Sequence, residues 1–265
     1  MKKIIVVTGA SSGLGKEFIY QISKKEKVDE IWAIARSKDK LVELKKDISN
    51  VVPISLDLSL QKDLEKYNEL LNKEKPNIVI LANCAGFGKF DHSENISLDI
   101  KLNMIDLNVK APVSMIDYSL PFMGKGAKIM NIASCAGFQP IPYINDYAAT
   151  KSFLLSYSRA LNRELKYRDI HVLAVTPFWT KTGFFNRAVD TNKQDVVIKY
   201  IVMYEAKDVI KNAIKDLYNN KKDVSIYGKI NKFQRLFTKL APHSFVMNYW
   251  CRQQKYDGTP KIRQK

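Results

Sequence analysis

The stretch Thr8-Gly9-Ala10-Ser11-Ser12-Gly13-Leu14-Gly15 decides how this chain folds. It follows an apolar run at residues 3–7, and a segment with helical spacing (Leu14, Phe18, Ile19, Ile22) comes after it. Three glycines spaced G-x-x-x-G-x-G therefore join a strand to a helix. Gly9 permits the sharp turn off the strand, Gly13 lets the backbone approach a pyrophosphate, and Gly15 lets the helix pack closely on the sheet. The helix N-terminus adds free N–H groups and a favourable dipole for phosphate. A glycine triplet alone is weak evidence; its place between the first strand and the first helix gives it force.

Outward from this loop, short apolar runs alternate with longer amphipathic ones. Strands are expected at 31–35, 51–56, 77–82, 128–133, 170–175 and 223–227, besides 3–7. Helices are expected at 13–25, 39–48, 61–71, 96–122 with a possible break near Pro112, 147–167 and 206–218. Strands that are apolar throughout suit a parallel sheet covered on both faces. Their separation by helix-length segments implies right-handed βαβ units. The expectation is an α/β fold: one doubly wound Rossmann-type domain over residues 1–228, with a mostly parallel seven-stranded sheet. Residues 229–265 form a basic helical extension on or near the substrate pocket.

Composition narrows the class further. At 46% hydrophobic and 26% charged residues the chain is ordinary globular protein, not disordered or collagen-like. Its cysteines, Cys84, Cys135 and Cys251, form no CxxC pair and lie far from histidine in sequence, so neither a disulfide scaffold nor a metal site is expected. The apolar start is too short for a signal peptide, and no run approaches the ~18 apolar residues of a membrane span. A soluble, cytoplasmic protein is expected. Lys and Arg number 43 against 27 Asp and Glu, a formal net charge of +16. Most lysines alternate with acids on helices, as solvated faces do. Residues 229–265 differ, with nine basic residues and one acid.

The second strand should present the group that reads the adenosine ribose. It ends Ala35-Arg36-Ser37 with no acid at its tip. An acid there would bond a 2′-hydroxyl and repel a 2′-phosphate; Arg36 makes charge-assisted bonds to that phosphate. Ser11 and Ser12 add hydroxyl donors, so the expected cofactor is NADP(H).

Downstream, Tyr147-Ala-Ala-Thr-Lys151 puts a phenol and an ammonium on one helix face. Ser134 lies thirteen residues before the tyrosine, and Asn108 sits in the long helical stretch. This order of Asn, Ser, Tyr and Lys, below a T-G-x-x-x-G-x-G loop, resembles the short-chain dehydrogenase/reductase family. Asn83-Cys84-Ala85-Gly86 is similar to the family's N-N-A-G, with Cys84 for the second Asn, and Asp57-Leu58 is similar to its acid-hydrophobe step beside the adenine. The likeness runs from about residue 3 to residue 185.

The resemblance implies the following roles. Tyr147 is the proton donor, with Lys151 lowering its pKa and holding the nicotinamide ribose. Ser134 bonds the substrate carbonyl, and Asn108 positions a water that relays protons to Lys151. The cofactor would be held by Gly9, Ser11, Ser12, Gly13, Leu14, Gly15, Arg36, Asp57, Leu58, Asn83, Ala85, Gly86, Tyr147, Lys151, Pro177 and Thr182. Where the family has Pro-Gly after the sixth strand, this chain has Pro177-Phe178-Trp179.

Phe87, Phe90, Phe138, Ile141, Tyr143, Phe178, Trp179, Phe184 and Phe185 make an aromatic candidate pocket with no Arg or His to grip a carboxylate, and Lys181 is expected to point to solvent. A small-molecule apolar carbonyl substrate is expected, since an apolar ketone (steroid-like, acyl-chain or xenobiotic) fits better than a small keto acid. Expected activity is NADPH-dependent reduction of such a ketone to a secondary alcohol, or the reverse, as in the branch with hydroxysteroid dehydrogenase-like and ketoacyl reductases. Alternatives are 3-oxoacyl-thioester reduction and a non-catalytic, cofactor-binding or nucleic-acid-associated role on the same scaffold; nucleic acid is not the expected partner. The resemblance also implies a homo-oligomer, dimer or tetramer, paired through the helices at 96–122 and 147–167. Ile230, Phe233, Leu236, Phe237 and Leu240 recur at helical spacing among basic residues. Such a helix can cover the pocket, pack on a partner subunit or lie on an anionic membrane.

Overall fold

A computed structural model describes residues 1–189 and 196–255. The strands are β1 (Lys3–Thr8), β2 (Glu30–Ala35), β3 (Val51–Ser55), β4 (Asn77–Asn83), β5 (Lys128–Ile132), β6 (His171–Val175), β7 (Thr180–Lys181), β8 (Tyr204–Glu205) and β9 (Val224–Ser225). Seven of them form one sheet in the order β3-β2-β1-β4-β5-β6-β9, and every ladder is parallel. β7 and β8 pair separately.

The central strand shows why both faces must be covered. Ile4 and Val6 point into one apolar cluster, Ile5 and Val7 into the other. Against the first lie α3 (Gln61–Glu74), α5 (Ala111–Ser119) and α6 (Asn145–Glu164), through Leu64, Tyr67, Met115, Ile116 and Leu161. Against the second lie α1 (Gly13–Ile22), α2 (Lys38–Asp47) and α8 (Ala206–Leu217), through Phe18, Ile19, Leu41, Leu44, Ile210 and Leu217. Each such side chain contributes about 1.5–3 kcal/mol by leaving water. The strand order reverses between β1 and β4, and a crevice opens there beyond the strands' C-terminal ends.

The stretch at 96–122 is helical but not regular. α4 (Leu98–Ile105) runs into a π turn at Asp106–Lys110 and then α5, with a 3-10 turn at Leu120–Phe122. Pro112 has no N–H to give, and the ladder already slips one residue before it: Ala111 N–H bonds the carbonyl of Asp106, five residues back. The irregular turn carries the buried Asn108. The interval between β6 and α8 holds β7, α7 (Phe184–Ala188) and β8, none of them expected from the sequence.

Beyond Gly228 the chain forms α9 (Lys229–Leu240) and α10 (His243–Gln253). Asn231 donates to the Thr176 carbonyl (2.8 Å), Trp250 to that of Pro142 (3.2 Å), and the Gln254 side chain accepts from the N–H groups of Ile198 and Lys199. These bonds hold both helices over the crevice. The final part of the expected extension, 256–265, lies outside the described residues.

Candidate active site

Parallel strands bring the loops after β1, β4, β5 and β6 to one edge. Thr8 Oγ1 accepts the N–H groups of Cys84 and Ala85, both at 3.0 Å, and so ties the glycine loop to the loop after β4. Gly9 has φ +64°, and a Cβ there would stand 2.8 Å from Ala85 N. A Cβ at Gly15 would stand 2.4 Å from the Gly9 carbonyl oxygen. Only glycine fits either place.

The α1 N-terminus follows, with Ser12 making no side-chain cap and no acid in the first turn. Its leading N–H groups thus have no side-chain acceptor and suit an anion. Arg36 is exposed at the rim, with Nη1 3.8 Å from Asp57 Oδ2. A pair that open to water is weakly held, so the guanidinium can turn to another anion.

Tyr147 and Lys151 lie in the first two turns of α6. Lys151 Nζ is buried, donates to the Ile132 carbonyl at 2.7 Å and lies 5.7 Å from the Tyr147 ring centroid. Burial holds this ammonium down to about pKa 8. Burial also pushes the Tyr147 phenol above its ordinary value, against the opposing pull of the Ser134 hydroxyl. The phenol therefore keeps its proton at neutral pH. Burial is the largest influence on its acidity in this state. Ser134 stands just past β5, where its Oγ accepts the Ala136 N–H at 3.1 Å.

Asn108 clamps the loop after β4: Oδ1 accepts the Phe87 N–H (3.0 Å) and Nδ2 donates to the Phe87 carbonyl (2.8 Å). Nδ2 also donates to Thr150 Oγ1, which donates to the Tyr147 carbonyl. Gly86 fills the space between, since a Cβ there would stand 2.9 Å from Asn108 Oδ1 and 3.3 Å from Lys151 Nζ. The four residues of the expected constellation are thus gathered at one place. Beside them, burial raises the Cys84 and Cys135 thiols to about 12, so both stay protonated and unreactive.

A cavity of about 790 Å³ runs from the glycine loop past Tyr147 to the C-terminal helices. Its wall includes Ser11, Ser12, Gly13, Leu14, Asp57, Leu58, Ala85, Gly86, Pro177 and Thr182, and also Phe87, Phe90, Ile141, Phe178, Trp179, Phe184 and Phe185. Tyr147 packs against Phe184 (5.4 Å between centroids) and Phe90 (6.2 Å). Phe178 takes no left-handed backbone and sits edge-on to Trp179 and Tyr204, so a side chain is tolerated where the family has glycine.

Four expected residues do not line this cavity. Asn108 is behind Gly86. Asn83 is buried against Asn131 (2.9 Å). Phe138 and Tyr143 are corrections: neither lines the cavity. The 3-10 turn at Cys135–Phe138 folds Phe138 back onto Leu155, Ala174 and Val224, under Arg235. Tyr143 adopts φ +68° and turns away to stack edge-on with His92 at 4.6 Å.

The sequence reading missed Gln139 and Gln234, whose Oε1 atoms are buried in the cavity wall without a hydrogen-bond partner. It also missed α10, which adds Phe245, Tyr249 and Trp250. The Ala241-Pro242 break followed by spaced Val246, Tyr249 and Trp250 was the available signal for that helix. Among the described residues no cluster suited to a metal ion occurs, and no helix is long and apolar enough to cross a membrane.

Residues 3–193 match the family described as short chain dehydrogenase. Hydroxysteroid dehydrogenase-like protein 1 of Gallus gallus is 32% identical over 198 residues, 71% of this chain but only 59% of that protein. The NADP-dependent 3-hydroxy acid dehydrogenase of Schizosaccharomyces pombe is 33% identical over 190 residues, 69% of this chain and 73% of that protein. Among solved structures, a short-chain dehydrogenase from Sphingobium yanoikuyae in complex with NADPH aligns with TM-score 0.74 at 23% identity, covering 99% of this chain and 98% of that one.

Proposed function

The chain belongs to the short chain dehydrogenase family, and from that premise we propose that it reduces an apolar ketone to a secondary alcohol with NADPH. The observation that carries this reading is the half-buried Tyr147, kept protonated by burial, at the meeting of a dinucleotide crevice and an aromatic cavity.

The open N–H groups of α1, the close-packed Gly9 and Gly15 and the exposed Arg36 fit a dinucleotide bearing a 2′-phosphate. The yeast relative's name carries the same cofactor preference. Once bound, this cofactor supplies a hydride to the carbonyl carbon. Tyr147 Oη gives its proton to the carbonyl oxygen as charge develops there, and the Ser134 hydroxyl donates a hydrogen bond to the same oxygen. Lys151, still charged below about pH 8, favours the phenolate left behind. Asn108 holds the Phe87 backbone and, through Thr150, the Tyr147 backbone, and so keeps the donor in register with the cavity.

Residues 229–255 act as a cap on the substrate end, since α9 and α10 line it. Homo-oligomer formation is supported by apolar side chains left exposed on α4 and α6: Leu98, Leu102, Ile105 and Phe153.

The test is NADPH consumption with bulky apolar ketones by the wild type and by Tyr147→Phe. Turnover that vanishes in the variant supports the reading; equal turnover in both refutes it. A second reading, reduction of a 3-oxoacyl thioester, is favoured by the yeast relative, named for a 3-hydroxy acid, and by a cavity whose far end could take an acyl chain. Faster turnover of acetoacetyl thioesters than of any bulky ketone would put it first.

A further inference from the structure

Helix α9 is mounted inside out. Its buried residues are the polar Asn231 and Thr238, while Phe233, Leu236 and Leu240 are 69%, 56% and 74% exposed. Helical spacing puts this apolar stripe opposite the buried face. It continues onto α10: Phe233 stacks on Phe237 (6.4 Å), which packs against Phe245 (6.2 Å) and Tyr249 (6.5 Å). Phe245 and Tyr249 are themselves more than half exposed, as is Ile201 in the cavity wall. A contiguous exposed apolar patch of this kind marks an interaction surface.

Two features say what covers it. Residues 229–255 contain six basic residues (Lys229, Lys232, Arg235, Lys239, Arg252 and Lys255) and no acid, and all six are exposed. A second copy meeting this face about a two-fold axis would set those charges against themselves. An anionic lipid surface would accept both the apolar side chains and the cations. Phe233, Phe237, Phe245 and Tyr249 also line the cavity that reaches Tyr147, so the patch is the cavity's mouth.

We propose that the α9–α10 face docks on an anionic membrane surface, through which an apolar substrate passes from lipid to cavity. Only the passage of substrate rests on the reductase reading; docking is measured without turnover, so the two fail separately.

The experiment is co-sedimentation of the full chain with phosphatidylcholine vesicles, with and without phosphatidylserine, at low and moderate salt. The expected result is binding that needs phosphatidylserine and weakens with salt. Leu236→Glu with Leu240→Glu, at exposed positions off the cavity wall, should weaken it at least tenfold, with thermal unfolding unchanged. Lys229→Gln, Lys232→Gln and Lys239→Gln should each weaken it about fivefold. The proposal is overturned by no sedimentation, by equal binding to neutral vesicles, or by binding indifferent to the leucine pair. Self-association lost in the leucine variant, or tighter binding to duplex DNA than to vesicles at one salt concentration, would overturn it as well.

Discussion

Replacing Lys151 with Met should change how stability depends on pH, by an amount the site fixes in advance. The Lys151 ammonium is buried, and that burial lowers its pKa from 10.5 to about 8. At about 1.4 kcal/mol per pH unit, this gap of about 2.5 is worth about 3 kcal/mol. Between pH 8 and 10.5 the unfolded chain still binds a proton that the folded chain has released, so wild-type stability gains from this group as pH rises. Met has no such proton. The stability of Lys151→Met relative to wild type should therefore fall by about 3 kcal/mol from pH 7 to about 11. For a chain this long that is roughly 6–12 °C of relative Tm.

A constant offset will accompany it, because the Ile132 carbonyl loses its 2.7 Å donor, at a cost of about 1–3 kcal/mol. Groups elsewhere titrate equally in both proteins and cancel in the difference. Within the site, the Cys84 and Cys135 thiols stay protonated to about pH 12, and the Tyr147 phenol is also raised. Urea unfolding of both proteins across this pH range is the assay. A difference that does not vary with pH would refute the claim that the ammonium is held at an energetic cost.

Tyr147→Phe should lower reductase turnover about 10²–10⁴-fold while NADPH still binds, as paired rate and fluorescence titrations would show. Wild-type reduction should decline above about pH 8, where Lys151 loses its charge, in a pH–rate profile. Gly15→Ala forces a Cβ to within 2.4 Å of the Gly9 carbonyl oxygen and should cost about 1–3 kcal/mol or more in chemical unfolding, with cofactor affinity falling alongside. Asn108→Ala strips partners from both backbone groups of Phe87, and calorimetry should record about 1–3 kcal/mol for each.

The sheet was legible because its short strands are apolar throughout and alternate with helix-length segments, a pattern that suits a covered parallel sheet. The crevice was legible because close backbone approach at Gly9 and Gly15 demands glycine. Tyr147, Lys151 and Ser134 were named through the family resemblance that their order and spacing carry, since the Tyr-Lys spacing alone fits many surface pairs. What failed depended on turns. Nothing in the identity of Tyr143 announces its left-handed backbone, and a four-residue 3-10 turn decides that Phe138 faces away from the cavity. β7 and β8 are two residues each, too short for a period to show. The stripe on α9 was visible, but its periodicity does not say which side meets the protein. The polar Asn231 and Thr238 occupy that side, the reverse of the usual arrangement.

The most direct measurement is a fluorescence titration of the purified protein with NADPH and with NADH, repeated on Arg36→Asp. The expected result is tight NADPH binding, much weaker NADH binding, and a reversal of the preference in the variant. Failure to bind either nucleotide would contradict the reductase reading, however well Asn108, Ser134, Tyr147 and Lys151 are assembled.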